Sequence, residues 1–239
     1  MVTGNLFSQV VPLLVAMAIP VPMIKNIRYL LAGRPVAHSL LMILTWGATF
    51  FLVLSLSVSL KSFLIEISEI HFTYQPSKDF SSWMHLVMGL LFIAIGVLKL
   101  RQSLRQESEP VVQKSVPVTA SSIIKATIHA AFLSKNNFMM MLYIMFILVK
   151  SEIALEHSLA VSGLIAFTSM IWISLPLFVY LLAGHDRDRV LELLKQWLMQ
   201  NKETLIIFIF LFIGISTLST AIGGLIPEML EWLLVDVIE

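Results

Sequence analysis

LFSQVVPLLVAMAIPVPMIKNIRYLLA, residues 6–32, decides the class of this chain. The stretch is longer than the about 20 apolar residues a helix needs to cross the hydrocarbon core of a bilayer. Its first basic residue is Lys25, and nothing basic precedes it. A secretory signal opens with a charged segment before its apolar run, so this stretch is expected to stay in the protein as a membrane helix. Pro20 and Pro22 interrupt it. Each removes a backbone donor and crowds the preceding turn, so the helix is expected to break or kink there. In a bilayer, backbone freed by a break is tolerated only where protein or a water-filled cavity surrounds it. The break is therefore a candidate binding site.

Five further stretches of the same character follow, at 36–60, 83–100, 137–149, 159–183 and 204–225. The fourth is short, although the run AAFL at 130–133 can extend it backwards. Composition agrees with a membrane chain. Of its 239 residues 58% are hydrophobic and 13% charged, with a mean hydropathy of +0.89. An ordinary soluble domain is about 45–50% apolar and about 25% charged. Net charge is +1 and cysteine is absent, which excludes disulfides and thiol chemistry.

Charge placement gives the topology. With six spans, one face carries Lys25, Arg28, Arg34, Lys99, Arg101, Arg105, Lys114, Lys125, Lys135, Arg187, Arg189, Lys195 and Lys202. Only Lys61, Lys78 and Lys150 fall on the other. Basic loops stay cytoplasmic, so both termini are expected outside, in a plasma or inner membrane. The polar, proline-containing stretch 102–120 is expected to be a cytoplasmic linker between two three-helix halves, 1–101 and 121–226. Val190, Leu191, Leu194, Trp197 and Leu198 recur at helical spacing beside Arg187, Arg189 and Lys195. That pattern suits a basic helix lying on the inner leaflet. The end of the chain, 227–239, reads as an acidic amphipathic tail anchored by Trp232.

The halves echo each other. His38-Ser39-Leu40 opens the second span and His157-Ser158-Leu159 the fifth, while Gly96 and Gly214 sit in similar apolar strings in the third and sixth. Three helices is an odd number, so two such repeats must be inserted upside down relative to each other. The expected fold is all-α: a polytopic transmembrane helix bundle of six spans arranged as two inverted three-helix repeats.

Candidate substrate-binding residues are Pro20, Pro22, Lys25 and Asn26 around the first break, with Asn136 and Asn137 at the matching place in the second half. Asparagines at a span boundary are costly unless paired, and they offer both donors and acceptors. Ser134 or Asn136 could instead cap the fourth helix. Lys25 and Arg28 could meet an anionic group or extend to the interface. Ser162, Thr168, Ser169 and Ser174 in the fifth span, and Ser216, Thr220 and Gly224 in the sixth, suit close helix packing more than a pore.

No acidic residue lies in the middle of a span, and no nucleophile elbow, zinc-protease or phosphate-loop motif is present. The six histidines lack metal-ligand spacing. No catalytic residue, metal or cofactor is expected, and the chain does not read as an enzyme. Expected partners are membrane lipids and a small solute or lipid, with a homo-oligomer allowed and nucleic acid not expected.

The sequence resembles the lysine exporter superfamily, and within it the glycolipid-addressing branch of six-span proteins. The resemblance is carried by Ile19-Pro20-Val21-Pro22-Met23-Ile24, Leu44-Thr45-Trp46-Gly47, Phe132-Leu133-Ser134-Lys135-Asn136-Asn137-Phe138, Tyr180-Leu181-Leu182-Ala183-Gly184 and Leu193-Leu194-Lys195-Gln196-Trp197-Leu198. It covers nearly the whole chain except 102–120 and the tail. It implies export of a solute or lipid-like molecule from the cytoplasm; a non-transporting membrane scaffold that keeps the fold is the alternative. The family pattern Asn-Pro-Lys-Asn at the fourth span is replaced here by Ser134, Lys135, Asn136 and Asn137, so the chain lacks the proline that would break this span as Pro20 and Pro22 break the first.

Overall fold

A computed structural model describes residues 2–32, 34–67, 78–105, 119–151 and 155–238. Among them every regular element is helical: α1 (Val2–Ala18), α2 (Val21–Leu30), α3 (Pro35–Ile67), α4 (Lys78–Arg105), α5 (Ala120–Ile128), a π-turn (His129–Leu133), α6 (Lys135–Lys150), α7 (Leu155–Leu182), a short 3-10 turn (Gly184–Asp186), α8 (Arg187–Gln200) and α9 (Lys202–Ile238). Most of the 102–120 linker lies outside the described residues.

Among the described residues four helical stretches are long and apolar enough to cross a membrane: Pro35–Leu60, Ser82–Ser103, His157–Leu182 and Lys202–Gly223. They coincide with the second, third, fifth and sixth expected spans. At the other two expected spans stand bent pairs that are apolar enough when taken together, Gln9–Ala18 with Val21–Leu30 at 49°, and Ala120–Phe132 with Asn136–Val149 at 62°. Counting each pair once gives six.

The fourth span needs a correction at its start. It reaches back to Ala120, well before 130–133. Ser121, Ser122, Lys125 and Thr127 break the apolar run there, so hydropathy does not register the limb. Its start is fixed by a capping box: the Thr119 hydroxyl accepts from the Ser122 backbone N–H at 3.2 Å, and the Thr119 N–H donates to the Ser122 hydroxyl at 3.0 Å. Thr127 is buried because its hydroxyl donates to the Ile123 carbonyl at 2.7 Å. Lys125 therefore lies within the limb, and Lys135 lies at the bend.

The chain divides into two compact units, each drawing on both sequence halves. The larger, 1–67 with 110–202, is organised around α3 and α7, its most extensive helix pair. Trp46, Phe50 and Leu54 on α3 and Ile165 and Ile173 on α7 are fully buried. A Cβ at Gly47 would overlap the Met170 side chain, so the glycine allows α7 its approach. α1 and α2 lie against α7, α5 against α3, and α6 against α1 and α3. Gly184, in the left-handed region at φ +55, turns the chain out of α7 towards α8. α8 buries Leu191 and Leu198, exposes Val190, Leu193 and Trp197, and packs on α7 and α2. The Arg187 guanidinium lies 4.9 Å from the Tyr180 ring centroid.

The smaller unit, 68–109 with 203–239, contains α4 and most of α9. Here glycines bring two backbones together. A Cβ on Gly214 would stand 2.9 Å from the Ile93 nitrogen, and one on Gly89 would stand 2.9 Å from the Leu218 nitrogen. Phe92 and Phe210 pack beside them with ring centroids 5.9 Å apart. The contact stripe of α9 is thus Phe210, Gly214, Thr217 and Ala221, all buried, whereas Ser216 and Thr220 are exposed. The expected packing stripe at Ser216 and Thr220 was one face away, because two interleaved small-residue stripes share this helix. α9 runs to Ile238, so Pro227 does not end it, and the side chains of 224–239 lie outside the description.

Candidate functional site

The break between α1 and α2 follows from proline chemistry. Pro20 and Pro22 have no N–H to offer the carbonyls of Ala16 and Ala18 four residues back. The Ile19–Pro20 bond is cis. Beyond it α2 starts afresh, with Pro22 in a first turn where a missing donor costs nothing, and the Ile24 N–H donates to the Pro20 carbonyl at 3.0 Å. Both prolines are buried.

The second break is made without proline. The π-turn ends with the Ser134 N–H donating to the His129 carbonyl at 2.8 Å, and Ser134 then adopts an extended conformation (φ −70, ψ 135) before α6 begins. Ser134 occupies the cap position, but its hydroxyl turns back to the Ala130 carbonyl at 3.2 Å instead of capping α6. The bend is present although residues 129–137 contain no proline.

Asn137 joins the two breaks. Its amide nitrogen donates to the Ala130 carbonyl at 2.7 Å and to the Met17 carbonyl at 3.2 Å. One NH₂ group thus uses both its hydrogens, one on each broken helix. The residue is 8% exposed, so these carbonyls would otherwise face an apolar interior. Lys25 makes a second crossing. Half-buried, it places its Nζ 3.4 Å from the Ala126 carbonyl on α5. Asn26 makes a third: fully buried, it donates its amide to the Ile173 carbonyl at 2.7 Å, on the turn of α7 just before Pro176.

Four of the six sequence candidates therefore converge: Pro20 and Pro22 form the break, Asn137 holds its Met17 side, and Lys25 ties α2 to the second bent pair. Asn26 faces α7, and Asn136 is half-buried at the start of α6. The fifth-span hydroxyls do not join them. Ser162, Thr168, Ser169 and Ser174 each donate to a carbonyl of their own helix, between 2.6 and 2.8 Å.

Three buried polar atoms behave differently. Asn26 Oδ1, Ser39 Oγ and Trp46 Nε1 have no hydrogen-bond partner, and all three residues are 0% exposed. Ser39 and Trp46 were conspicuous in the sequence only as parts of short motifs. Their common face, seven residues apart on an apolar span, was the signal available. Among the described residues no group of three or more His, Asp or Glu side chains is placed to hold a metal ion.

No curated protein and no solved structure matches the chain. The model of one family, described as Sap, sulfolipid-1-addressing protein, matches residues 10–223. With its membrane-length helices, two helix breaks and nearly full-length match, the chain belongs to the sulfolipid-1-addressing protein family.

Proposed function

We propose that the protein is a carrier, not an enzyme, that moves a small solute or lipid-like molecule out of the cytoplasm through a site at the two helix breaks. The observation that carries this reading is the Asn137 amide held between Met17 and Ala130, which makes one locus of two broken helices. Broken helices meeting within a membrane are the usual construction of a carrier's binding site, because their unpaired backbone groups can serve a ligand. Family membership supports a lipid-like substrate, since the family's description names a sulfolipid. Lys25 and Arg28, half-buried on α2, supply positive charge near the break for an anionic headgroup.

The same reading takes 1–101 and 121–226 as inverted repeats of the lysine exporter type. Each half contributes one bent pair, α3 of the first packs with α7 of the second, and α4 of the first packs with α9 of the second. In this reading both termini lie outside, the linker in the cytoplasm, and α8 on the inner leaflet with the exposed Val190, Leu193 and Trp197 towards lipid, which the distribution of basic residues supports.

The test is flux in proteoliposomes of a fluorescent sulfated glycolipid, with its unsulfated counterpart and free lysine as comparison probes. The sulfated lipid should cross faster than in protein-free vesicles, and Lys25→Met should slow it about tenfold while sparing the unsulfated lipid. Equal rates with and without protein for all three probes would remove the carrier reading.

A further inference from the structure

The polar atoms on α2 and α3 call for an explanation that packing does not give. A buried side-chain donor or acceptor is nearly always paired, and tryptophan N–H groups are no exception. In this molecule pairing is the rule within the same larger unit: the buried hydroxyls of Ser162, Ser169, Ser174 and Thr127 all reach a carbonyl of their own helix. Ser39 could do likewise and does not.

Position relates the three orphans. α2 and α3 pack against each other, and α3 begins five residues after α2 ends at Leu30. Asn26 lies four residues before the end of α2 at Leu30, and Ser39 four residues after the start of α3 at Pro35. Trp46 lies about 16 Å along α3 from Pro35, and the Pro20 break about 15 Å back along α2 from Leu30. Ser39 and Trp46 are seven residues apart and share one face of α3, which continues into Phe50, stacked on Trp46 at 5.2 Å. The two remaining orphans, His38 Nδ1 and Ser55 Oγ, lie off that face. The orientation of Asn26 is not arbitrary. Its nitrogen is the atom that can donate to the Ile173 carbonyl, which leaves Oδ1 turned away from α7.

We infer that Asn26, Ser39 and Trp46 form a second part of the binding site, a hydroxyl-recognising row between α2 and α3 that leads to the helix break. The chemistry selects the ligand group. Trp46 N–H only donates, Asn26 Oδ1 only accepts, and Ser39 Oγ does both. An anionic oxygen would satisfy Trp46 but offers nothing to Asn26. An ammonium would satisfy Asn26 but not Trp46. Hydroxyls can serve all three: one donates to Asn26, another accepts from Trp46, and Ser39 takes either part. The row thus takes a hydroxyl-bearing part of the transported molecule, whereas its charge belongs beside Lys25 and Arg28. All three side chains are fully buried, so a ligand reaches them only when α2 and α3 part.

This inference rests on the carrier reading, and the experiment separates the two. Flux is measured for the fluorescent sulfated glycolipid and for the same lipid with its free sugar hydroxyls methylated, in the native protein, Trp46→Phe and Ser39→Ala. The native protein should prefer the hydroxyl form by at least tenfold, because a site built to bond a hydroxyl rejects the analogue lacking it. Trp46→Phe keeps a ring on Phe50 but removes the N–H, and the preference should fall to threefold or less. Ser39→Ala should reduce the preference as well, without lowering the melting temperature, since the hydroxyl it removes bonds nothing in the protein. A native protein that moves both lipids equally, or variants that keep the native preference, would overturn the row, the atoms then being served by water. Absence of flux for either lipid in the native protein would count against the carrier reading and take the row with it.

Discussion

The two breaks bend their helices by 49° and 62°, yet they are built from different chemistry. The first is covalent in origin: Pro20 and Pro22 lack the donors a continuous helix needs, whatever surrounds them. The second contains no proline. It depends on a π-turn, an extended Ser134 and two side chains directed at one carbonyl, that of Ala130. A break of the first kind persists without its neighbours. A break of the second kind is held by hydrogen bonds, the shorter of which comes from Asn137, and Asn137 also holds the first break. The first break is therefore the fixed member of the pair and the second the adjustable one. That asymmetry suits a site that must open to one side at a time.

Changing the fixed member should have the largest effect. Pro20→Ala with Pro22→Ala restores both backbone donors, allows α1 and α2 to run on as one helix, and withdraws the Met17 carbonyl from Asn137. Flux of the sulfated glycolipid should fall at least tenfold while circular dichroism and elution volume stay native. A double variant with native flux would make the first break purely structural.

Asn137→Leu comes next. It deprives the Met17 carbonyl of its amide donor and leaves Ala130 with the Ser134 hydroxyl alone. An unsatisfied buried carbonyl costs about 1–3 kcal/mol, so a loss of about 2 kcal/mol is expected, visible as a melting temperature lower by roughly 4–8 °C in detergent. Flux should fall as well. An unchanged melting temperature would mean that the amide is not shared between the breaks.

Ser134→Ala should have the smallest effect. The Ala130 carbonyl keeps the shorter bond from Asn137, so the cost should stay near about 0.5–1 kcal/mol with flux within twofold of native. A larger loss for Ser134→Ala than for Asn137→Leu would reverse the assignment of which side chain holds the second break.

The contrast between the breaks also explains what the sequence made legible. Hydropathy and proline placement are local properties, so the apolar spans and the first break can be read from residues 6–32 and their counterparts. The second break cannot be read that way. Lys125 and Thr127 interrupt the apolar run of its first limb, and its Asn137 amide reaches Met17, 120 residues away. Of the two asparagines at 136 and 137, which one bridges the breaks depends on which faces α1. On α9 the same limitation shifted the packing stripe by one face, because only the partner α4 decides between Gly214 and Ser216. Trp46 and Ser39 looked like motif letters until their polar atoms proved buried and unpaired.

The claim that the two breaks form one site is tested most directly by a double-mutant cycle on flux, combining Pro20→Ala and Pro22→Ala with Asn137→Leu. If Asn137 acts by joining the breaks, its substitution matters little once the first break has been removed, and the triple variant should be no slower than the slower of its parents. Losses that multiply in the triple variant would show two independent effects and contradict the account.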